Sequence, residues 1–255
     1  MMNGHTVAIG ITLVAGLAGG CSPAGLEGPG KDTDVTDTGS SDLVPKVLMV
    51  MIDGFIPDVI DLTDTPAMDR LLPDSAWSME ARAESTTISG SGWSTFVTGV
   101  HWDKHGAEDN EFSDTHYEDY PHIFALVHEA LPDATVAGCQ CWEPIEEGLV
   151  VPSDPDIHSY YNYDDYSDDY FDEASPDRFC GEDVADWAAT ADADLYVIMF
   201  ADTDGVGHAW GYGAEYPHYQ AEITEVDGFI LDILEAIESF RIEPGSLQHL
   251  YQEGQ

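Results

Sequence analysis

The sequence has very few basic residues. Lysine and arginine together number 7 of 255 residues, against 50 aspartates and glutamates, so the formal net charge is −43. Such a chain repels nucleic acids and anionic membrane surfaces, so we expect neither as a direct binding partner. An anionic substrate would need local cations, and metal ions are the obvious source. The simpler interpretation is that the charge keeps the protein surface solvated.

The sequence also lacks an apolar run near its start that is long enough to cross a bilayer. Residues 7–17 are apolar, but a spanning helix needs about 20 such residues. The small residues at 18–20 precede Cys21, a pattern that resembles a bacterial lipoprotein signal, although MMNGH has none of the usual positive charge. We therefore predict a signal peptide at 1–20, lipidation of Cys21, and an exported protein anchored by lipid in the cell envelope.

The next segment has almost nothing to bury. Residues 21–44 are rich in Gly, Asp, Thr and Ser, a composition typical of a flexible linker. A calcium loop is the alternative, but the spacing of the aspartates does not match the regular alternation that such loops require.

Cysteine is scarce, and three residues remain after Cys21: Cys139, Cys141 and Cys180. In an exported protein one disulfide is expected, joining Cys180 to either of the other two. A zinc site is disfavoured, because Cys139 and Cys141 would point to opposite faces of a strand.

Two continuous apolar runs, Lys46–Ile52 and Asp194–Phe200, are each followed directly by acidic residues and glycine. Such runs are typical of parallel strands buried on both faces. The other predicted elements are helices over 65–72, 89–99, 120–130 and 222–239, and strands over 76–83 and 135–141. This alternation predicts an α/β domain over residues 45–240, with a mostly parallel central sheet and helices on both faces.

One stretch of the predicted domain differs in composition. Within 152–180, residues 154–177 interleave five tyrosines with nine carboxylates. We interpret 152–180 as an irregular acidic insertion, either a solvated loop or a segment that selects substrates or binds calcium. Residues 241–255 are expected to be an irregular tail.

Chemistry-bearing residues follow both apolar runs. Asp53 follows the first, and Asp204 and His208 follow the second, where a carboxylate and an imidazole four residues apart can converge on one cation such as zinc. Asp202 is a neighbour that could substitute for a ligand or support one. Ser89 opens a helical pattern, so it is either an N-cap or a hydroxyl nucleophile at an anion-binding helix start.

These residues belong to an ordered set of motifs. The set consists of Asp53, TPAMDRLL at 65–72, Ser89 with Thr98-Gly99, His105-Gly106, Asn110 and the DxxGH pattern at 204–208. It resembles the alkaline phosphatase superfamily, most closely the type I phosphodiesterase / nucleotide pyrophosphatase branch, over residues 46–239. The resemblance implies an alkaline phosphatase-like fold and hydrolysis of phosphoric esters.

The resemblance also implies residue roles. Asp53, Asp204 and His208 would be ligands of two divalent metal ions, typically zinc, and Ser89 would be a nucleophile that also contacts metal and forms a phosphoserine. Asn110 would hold a phosphate oxygen. Because the branch usually has threonine where this chain has Ser89, monoesters and diesters both remain open as substrates, and Asn110 favours diesters.

Parts of the family pattern are not recognisable. They are the DHG motif and a histidine nearer the C-terminus, since nothing around His249 resembles a ligand motif. From this we expect a truncated or frameshifted product with an incomplete second metal site. The rival hypothesis is a catalytically incomplete, acidic, lipid-anchored surface protein. Within enzymes, the alternatives are an envelope phosphotransferase and a sulfatase, although Ser89 lacks the proline and arginine that accompany a sulfatase nucleophile.

Overall fold

The computed structural model describes residues 46–84, 87–162, 175–191 and 193–241, together with the backbone of residues 9–15. Its five strands are β1 (Ile9–Ala15), β2 (Lys46–Ile52), β3 (Val136–Gln140), β4 (Ile157–Tyr160) and β5 (Leu195–Phe200). They form one sheet in the order β1-β2-β5-β3-β4. All neighbouring strands are parallel except β1, which runs antiparallel along β2. The predicted α/β class with a mostly parallel sheet is therefore confirmed.

Eight α-helices accompany the sheet in the part of the chain that the structure describes. They are α1 (Pro66–Leu71), α2 (Ser89–Thr98), α3 (Trp102–His105), α4 (Ile123–Ala130), α5 (Glu143–Ile145), α6 (Pro176–Thr190), α7 (Asp202–Trp210) and α8 (Pro217–Arg241). Short 3₁₀ segments lie at Pro57–Leu62, Leu72–Asp74 and Val151–Ser153, and a π-helical turn at Glu146–Val150. Within these described residues, no helix is both long and apolar enough to cross a bilayer.

The core is built on the three central strands. Every residue of β3 and β5 is buried, as are the last five of β2, which explains why these strands are apolar without alternation. Helix α8 packs against α1, α6 and α7. Its buried Asp227 accepts hydrogen bonds from the backbone N–H groups of Ala67 (2.7 Å) and Met68 (3.0 Å), and so caps the start of α1.

Cys180 of α6 forms the expected disulfide, and its partner is Cys139 of β3. Cys141 is a buried free thiol. The bond fastens α6 to the sheet.

Three predicted segments differ from the structure. The predicted strand over 76–83 is wrong: this stretch is turn and irregular chain. The side chains of Trp77 and Met79 are exposed, so the segment has no buried face on which to pair. The insertion predicted over 152–180 is also wrong in part. It contains β4, which pairs with β3, and the start of α6, while 163–174 lie outside the described residues.

The third difference concerns the N-terminus. Ile9–Ala15, which we interpret as part of an export signal, lies along the otherwise open edge of β2. Its assignment as a signal peptide remains a prediction. The linker at 21–44, Cys21 and His249 lie outside the described residues.

His122 provides a pH test of this fold. Its buried ring accepts a hydrogen bond at Nδ1 from the backbone N–H of Phe124 (3.0 Å) at the start of α4. Burial lowers the pKa of His122 to about 3. Below its ordinary pKa of about 6.5, the unfolded chain therefore gains a proton that the folded protein does not. We expect this histidine to remove about 2 kcal/mol of stability between pH 7 and pH 5.

The measurement is urea unfolding of the wild type and His122→Asn at both pH values. Asparagine retains an acceptor for the Phe124 N–H but does not titrate, so the variant should lose less stability on acidification. Equal losses in the two proteins would contradict the buried, neutral histidine.

Candidate functional site

Asp53 directly follows the carboxyl end of β2. Its backbone N–H donates to the Phe200 carbonyl of β5 (2.9 Å). Its Oδ1 accepts the Gly54 N–H (2.9 Å), and its Oδ2 accepts the indole N–H of Trp93 (3.4 Å). The carboxylate is 4% exposed. These bonds hold it in one orientation at the end of the strand.

Ser89 is the first residue of α2. The extended residue Ile88 occupies the N-cap position and makes no side-chain cap, so the interpretation of Ser89 as an N-cap is wrong. The Ser89 side chain instead lies beside Asp53 and favours the charged form of that carboxylate. A hydroxyl at this position lies beside the N–H groups of the first helical turn, which have no acceptor inside the helix.

Asn110 reaches the same helix end from the following loop. Its Oδ1 accepts the Gly90 N–H (3.0 Å), and the residue is exposed. A Cβ atom at Gly90 would lie 2.3 Å from the Asp109 carbonyl oxygen. Glycine at position 90 therefore permits the close approach that brings Asn110 next to Ser89.

Asp204 lies in the first turn of α7, and His208 lies one turn later. His208 Nε2 is 3.3 Å from Asp204 Oδ2, with side-chain exposures of 73% and 20%. The Tyr212 hydroxyl donates to Asp204 Oδ1 (2.6 Å). A Cβ at Gly54, whose φ is +67°, would lie 2.6 Å from Asp204 Cα. Gly54 thus allows α7 to approach the end of β2.

The electrostatics of the site reflect two neighbouring carboxylates. Burial, and then the charge of Asp204, raise the pKa of Asp53 to about 6, against the opposing effect of the neighbouring donors on Ser89, Trp93 and Gly54. Burial and the hydrogen bond to Asp204 also raise the pKa of Tyr212. Two carboxylates, a hydroxyl and an imidazole form a donor set that fits a divalent metal ion, and a cation would relieve the repulsion.

The five predicted site residues are thus brought to one region by the ends of β2, α2 and α7. Asp53 lies beside Ser89 and faces Asp204, Asp204 contacts His208, and Asn110 binds the start of the Ser89 helix. What each residue does there remains a prediction.

Three aromatic residues support the site through contacts that the sequence did not predict. Trp93 is buried and donates to Asp53. The Tyr219 hydroxyl donates to the Gly54 carbonyl (2.6 Å) and accepts the Ile56 N–H (3.0 Å). With Tyr212, it fixes the two segments that carry Asp53 and Asp204. No sequence pattern marked these contacts, because each depends on a distant segment.

Asp202 does not join this region. It is 1% exposed, its backbone N–H donates to Asp177 Oδ2 (3.0 Å), and its own Oδ2 accepts from Ser175 Oγ (2.7 Å). These partners belong to α6 and its N-cap, so the expectation that Asp202 substitutes for a site ligand gains no support from its contacts.

Comparison with known proteins gives the chain a family context. Residues 47–242 match the family model of type I phosphodiesterase / nucleotide pyrophosphatase. A comparison of the sequence with curated proteins found no match. Among solved structures, the chain is similar to murine ectonucleotide pyrophosphatase / phosphodiesterase 5, with a TM-score of 0.56 and 20% sequence identity. The match covers 77% of this chain and 53% of that one, so the chain spans about half the length of the solved relative.

Glycine substitutions test the packing at the start of α2. Gly90→Ala should destabilise the protein by about 1–3 kcal/mol, because the added methyl group would overlap the Asp109 carbonyl oxygen. Gly228→Ala, a control in α8 with open space around it, should be neutral or stabilising by up to about 1 kcal/mol. Urea unfolding measures both changes, and wild-type stability of Gly90→Ala would contradict the observed packing.

Proposed function

The chain belongs to the type I phosphodiesterase / nucleotide pyrophosphatase family of the alkaline phosphatase superfamily, and we propose that it hydrolyses phosphoric esters with Ser89 as the nucleophile. The observation that carries this proposal is the position of the Ser89 hydroxyl at the start of a helix, beside buried Asp53, which in turn faces Asp204. A hydroxyl placed among metal-ligand side chains and helix N–H groups suits attack on a phosphorus atom.

Four side chains would hold the metal ions of the reaction: Asp53, Ser89, Asp204 and His208. We propose two divalent ions, with zinc favoured because oxygen and imidazole donors are mixed, and with the second site left incomplete by these four side chains. When bound, such ions lower the pKa of a hydroxyl and neutralise charge on the phosphoryl oxygens. The protein contributes the fixed orientation of these ligands, through Trp93 and Gly54 at Asp53 and through Tyr212 at Asp204.

The reaction has two displacements. In the first, Ser89 Oγ loses its proton to solvent and bonds to phosphorus, while the bond to the ester oxygen breaks and the leaving oxygen takes a proton from water. In the second, water attacks the phosphoserine, the phosphorus–Oγ bond breaks, and Ser89 regains a proton. The released product, phosphate from a monoester or a phosphate monoester from a diester, carries the new oxygen.

The start of α2 would bind the phosphoryl group. The N–H groups of its first turn and the helix dipole favour an anion. Because Asn110 Oδ1 is engaged by Gly90, the Asn110 amide nitrogen is the end that would donate to a phosphate oxygen. This residue is the reason to prefer phosphodiesters over monoesters. Envelope phosphotransfer and sulfate-ester hydrolysis are the other reactions that the same arrangement suits.

The location of the protein is part of the proposal. Export and a lipid anchor at Cys21 would place the enzyme at the cell envelope, with residues 21–44 as the linker. The acidic domain would then approach the membrane only through its anchor, and phosphate esters would be its substrates.

Removal of the nucleophile tests the mechanism. Ser89→Ala should lower the rate of hydrolysis of bis(p-nitrophenyl) phosphate with added zinc by at least about a thousandfold, because no other group supplies the attacking oxygen. Release of p-nitrophenol is measured with this diester and with p-nitrophenyl phosphate, and release of 4-nitrocatechol with p-nitrocatechol sulfate, which separates the three substrate classes.

Ser91→Ala is the matched control. Ser91 lies in the same helix about 200° around its axis from Ser89 and is buried, so this variant should retain most of the activity. If wild type and Ser89→Ala cannot be distinguished on any substrate, the enzyme proposal fails, and the rival hypothesis of a non-catalytic surface protein gains support.

His208 provides a test of the metal ligands. Its side chain is largely exposed, so His208→Ala should fold as the wild type does while binding zinc more weakly. We expect its activity to need at least about tenfold more zinc for half saturation. An unchanged zinc dependence, measured by titrating zinc into the metal-free protein, would show that His208 is not a ligand.

A further inference from the structure

Three buried carboxylates meet behind α7, away from the proposed active site. Asp177 of α6, Asp202 of α7 and Glu222 of α8 are each 0–1% exposed. One possible ligand atom from each lies within 4.8 Å of the other two. Asp202 and Asp204 are two residues apart in one helix, so their side chains point in nearly opposite directions. The cluster is therefore separate from the ligands proposed for catalysis.

Two oxygens of this cluster have no hydrogen-bond partner. Asp177 accepts the N–H groups of Ala201 (2.7 Å) and Asp202 (3.0 Å), and Asp202 Oδ2 accepts from Ser175. In contrast, Asp202 Oδ1 and Glu222 Oε2 are fully buried and unpartnered. An unpaired buried carboxylate oxygen costs several kcal/mol by order of magnitude, so both atoms point to a missing positive partner.

No basic side chain supplies that partner. The adjacent cation, Arg178, pairs with a different carboxylate, Glu225 (3.1 Å). Within the described ranges, none of the three carboxylates forms a salt bridge with lysine, arginine or histidine. Three carboxylates with no counter-ion are difficult to retain together inside a protein.

We propose that Asp177, Asp202 and Glu222 bind a structural Ca²⁺ ion that joins α6, α7 and α8. All the available ligand atoms are carboxylate oxygens, which hard cations prefer over the softer metals. Two oxygens bound to the same Ca²⁺, each about 2.4 Å from it, can lie up to about 4.8 Å apart. The observed spacing meets this limit, and the unpartnered oxygens supply free ligand positions.

The site would act on the active site through α7. A cation at Asp202 holds the first turn of the helix whose other face carries Asp204. This makes the ion a support for the proposed catalytic ligands and not a participant in the chemistry. Its binding can be tested without any substrate, so failure of this inference and failure of the proposed function are distinguishable.

The experiment uses the full chain stripped with EDTA. Calcium is titrated by calorimetry, and thermal unfolding is followed with and without 1 mM added Ca²⁺, about a hundredfold above a Kd of about 10 μM. The wild type should bind one Ca²⁺ at this site and unfold at a higher temperature when it is present. Glu222→Gln should weaken that binding by more than about tenfold, since it removes a charged ligand.

Glu235→Gln is the matched control, because it removes the same charge from an exposed position of the same helix. It should bind calcium as the wild type does. His208→Ala should also retain the calcium response, which separates this site from the proposed zinc ligands. If Glu222→Gln does not fold, Asp202→Asn takes its place with the same expected loss.

Two results would overturn the proposal. Burial raises the pKa values of Asp177 and Glu222 well above the usual range, so shared protons are the competing state. In that state the wild type would not respond to calcium, and Glu222→Gln would be at least as stable as the wild type in EDTA. An equal calcium response in Glu222→Gln and the wild type would place the bound ion elsewhere.

Discussion

The parallel pairing of β2 with β5 is the constraint on which the rest of the site depends. Adjacent parallel strands end at the same edge of the sheet, so the residues that follow them are neighbours although about 150 positions separate them. The Asp53 N–H continues the pairing by donating to Phe200 of β5. The chain then turns at Gly54 on one side and enters α7 on the other. Without this register, Asp53 and Asp204 would not face each other.

Helix α7 then separates two groups of acidic residues. One face directs Asp204 toward the end of β2, where a hydroxyl, an indole N–H and a tyrosine are the nearby donors. The other directs Asp202 into the interface with α6 and α8, where it meets two further buried carboxylates. In a chain with 50 acidic and 7 basic residues, few side chains can neutralise such clusters. Metal ions are the physical solution that both groups share in our proposals, zinc at the mixed-donor face and calcium at the face with oxygen ligands alone.

The disulfide and the buried carboxylate of α6 act on the same helix. Cys180 joins α6 to β3, and Asp177, one turn earlier, accepts the backbone N–H groups that begin α7. These two attachments position α6 against both the sheet and α7. Two residues of α8 attach other segments in a similar way. Tyr219 donates to the turn after β2, and Asp227 accepts from the start of α1. The proposed catalytic residues are therefore held by contacts between distant segments, which is the arrangement that a preorganised site requires.

The sequence alone determined the fold class, the family and the strands that carry the site. Buried parallel strands are continuous apolar runs, and the motif order is a property of the chain itself, so both are readable without coordinates. Only the tertiary structure decided what depends on distant partners. It rejected a strand at 76–83, because that segment is exposed and unpaired. It placed Ser89 beside Asp53 and inside the first turn of α2, with Ile88 at the N-cap position. It also paired Cys180 with Cys139 and brought Asp177, Asp202 and Glu222 together. No local pattern encodes these contacts, because each partner lies on a different element and is brought close only by packing.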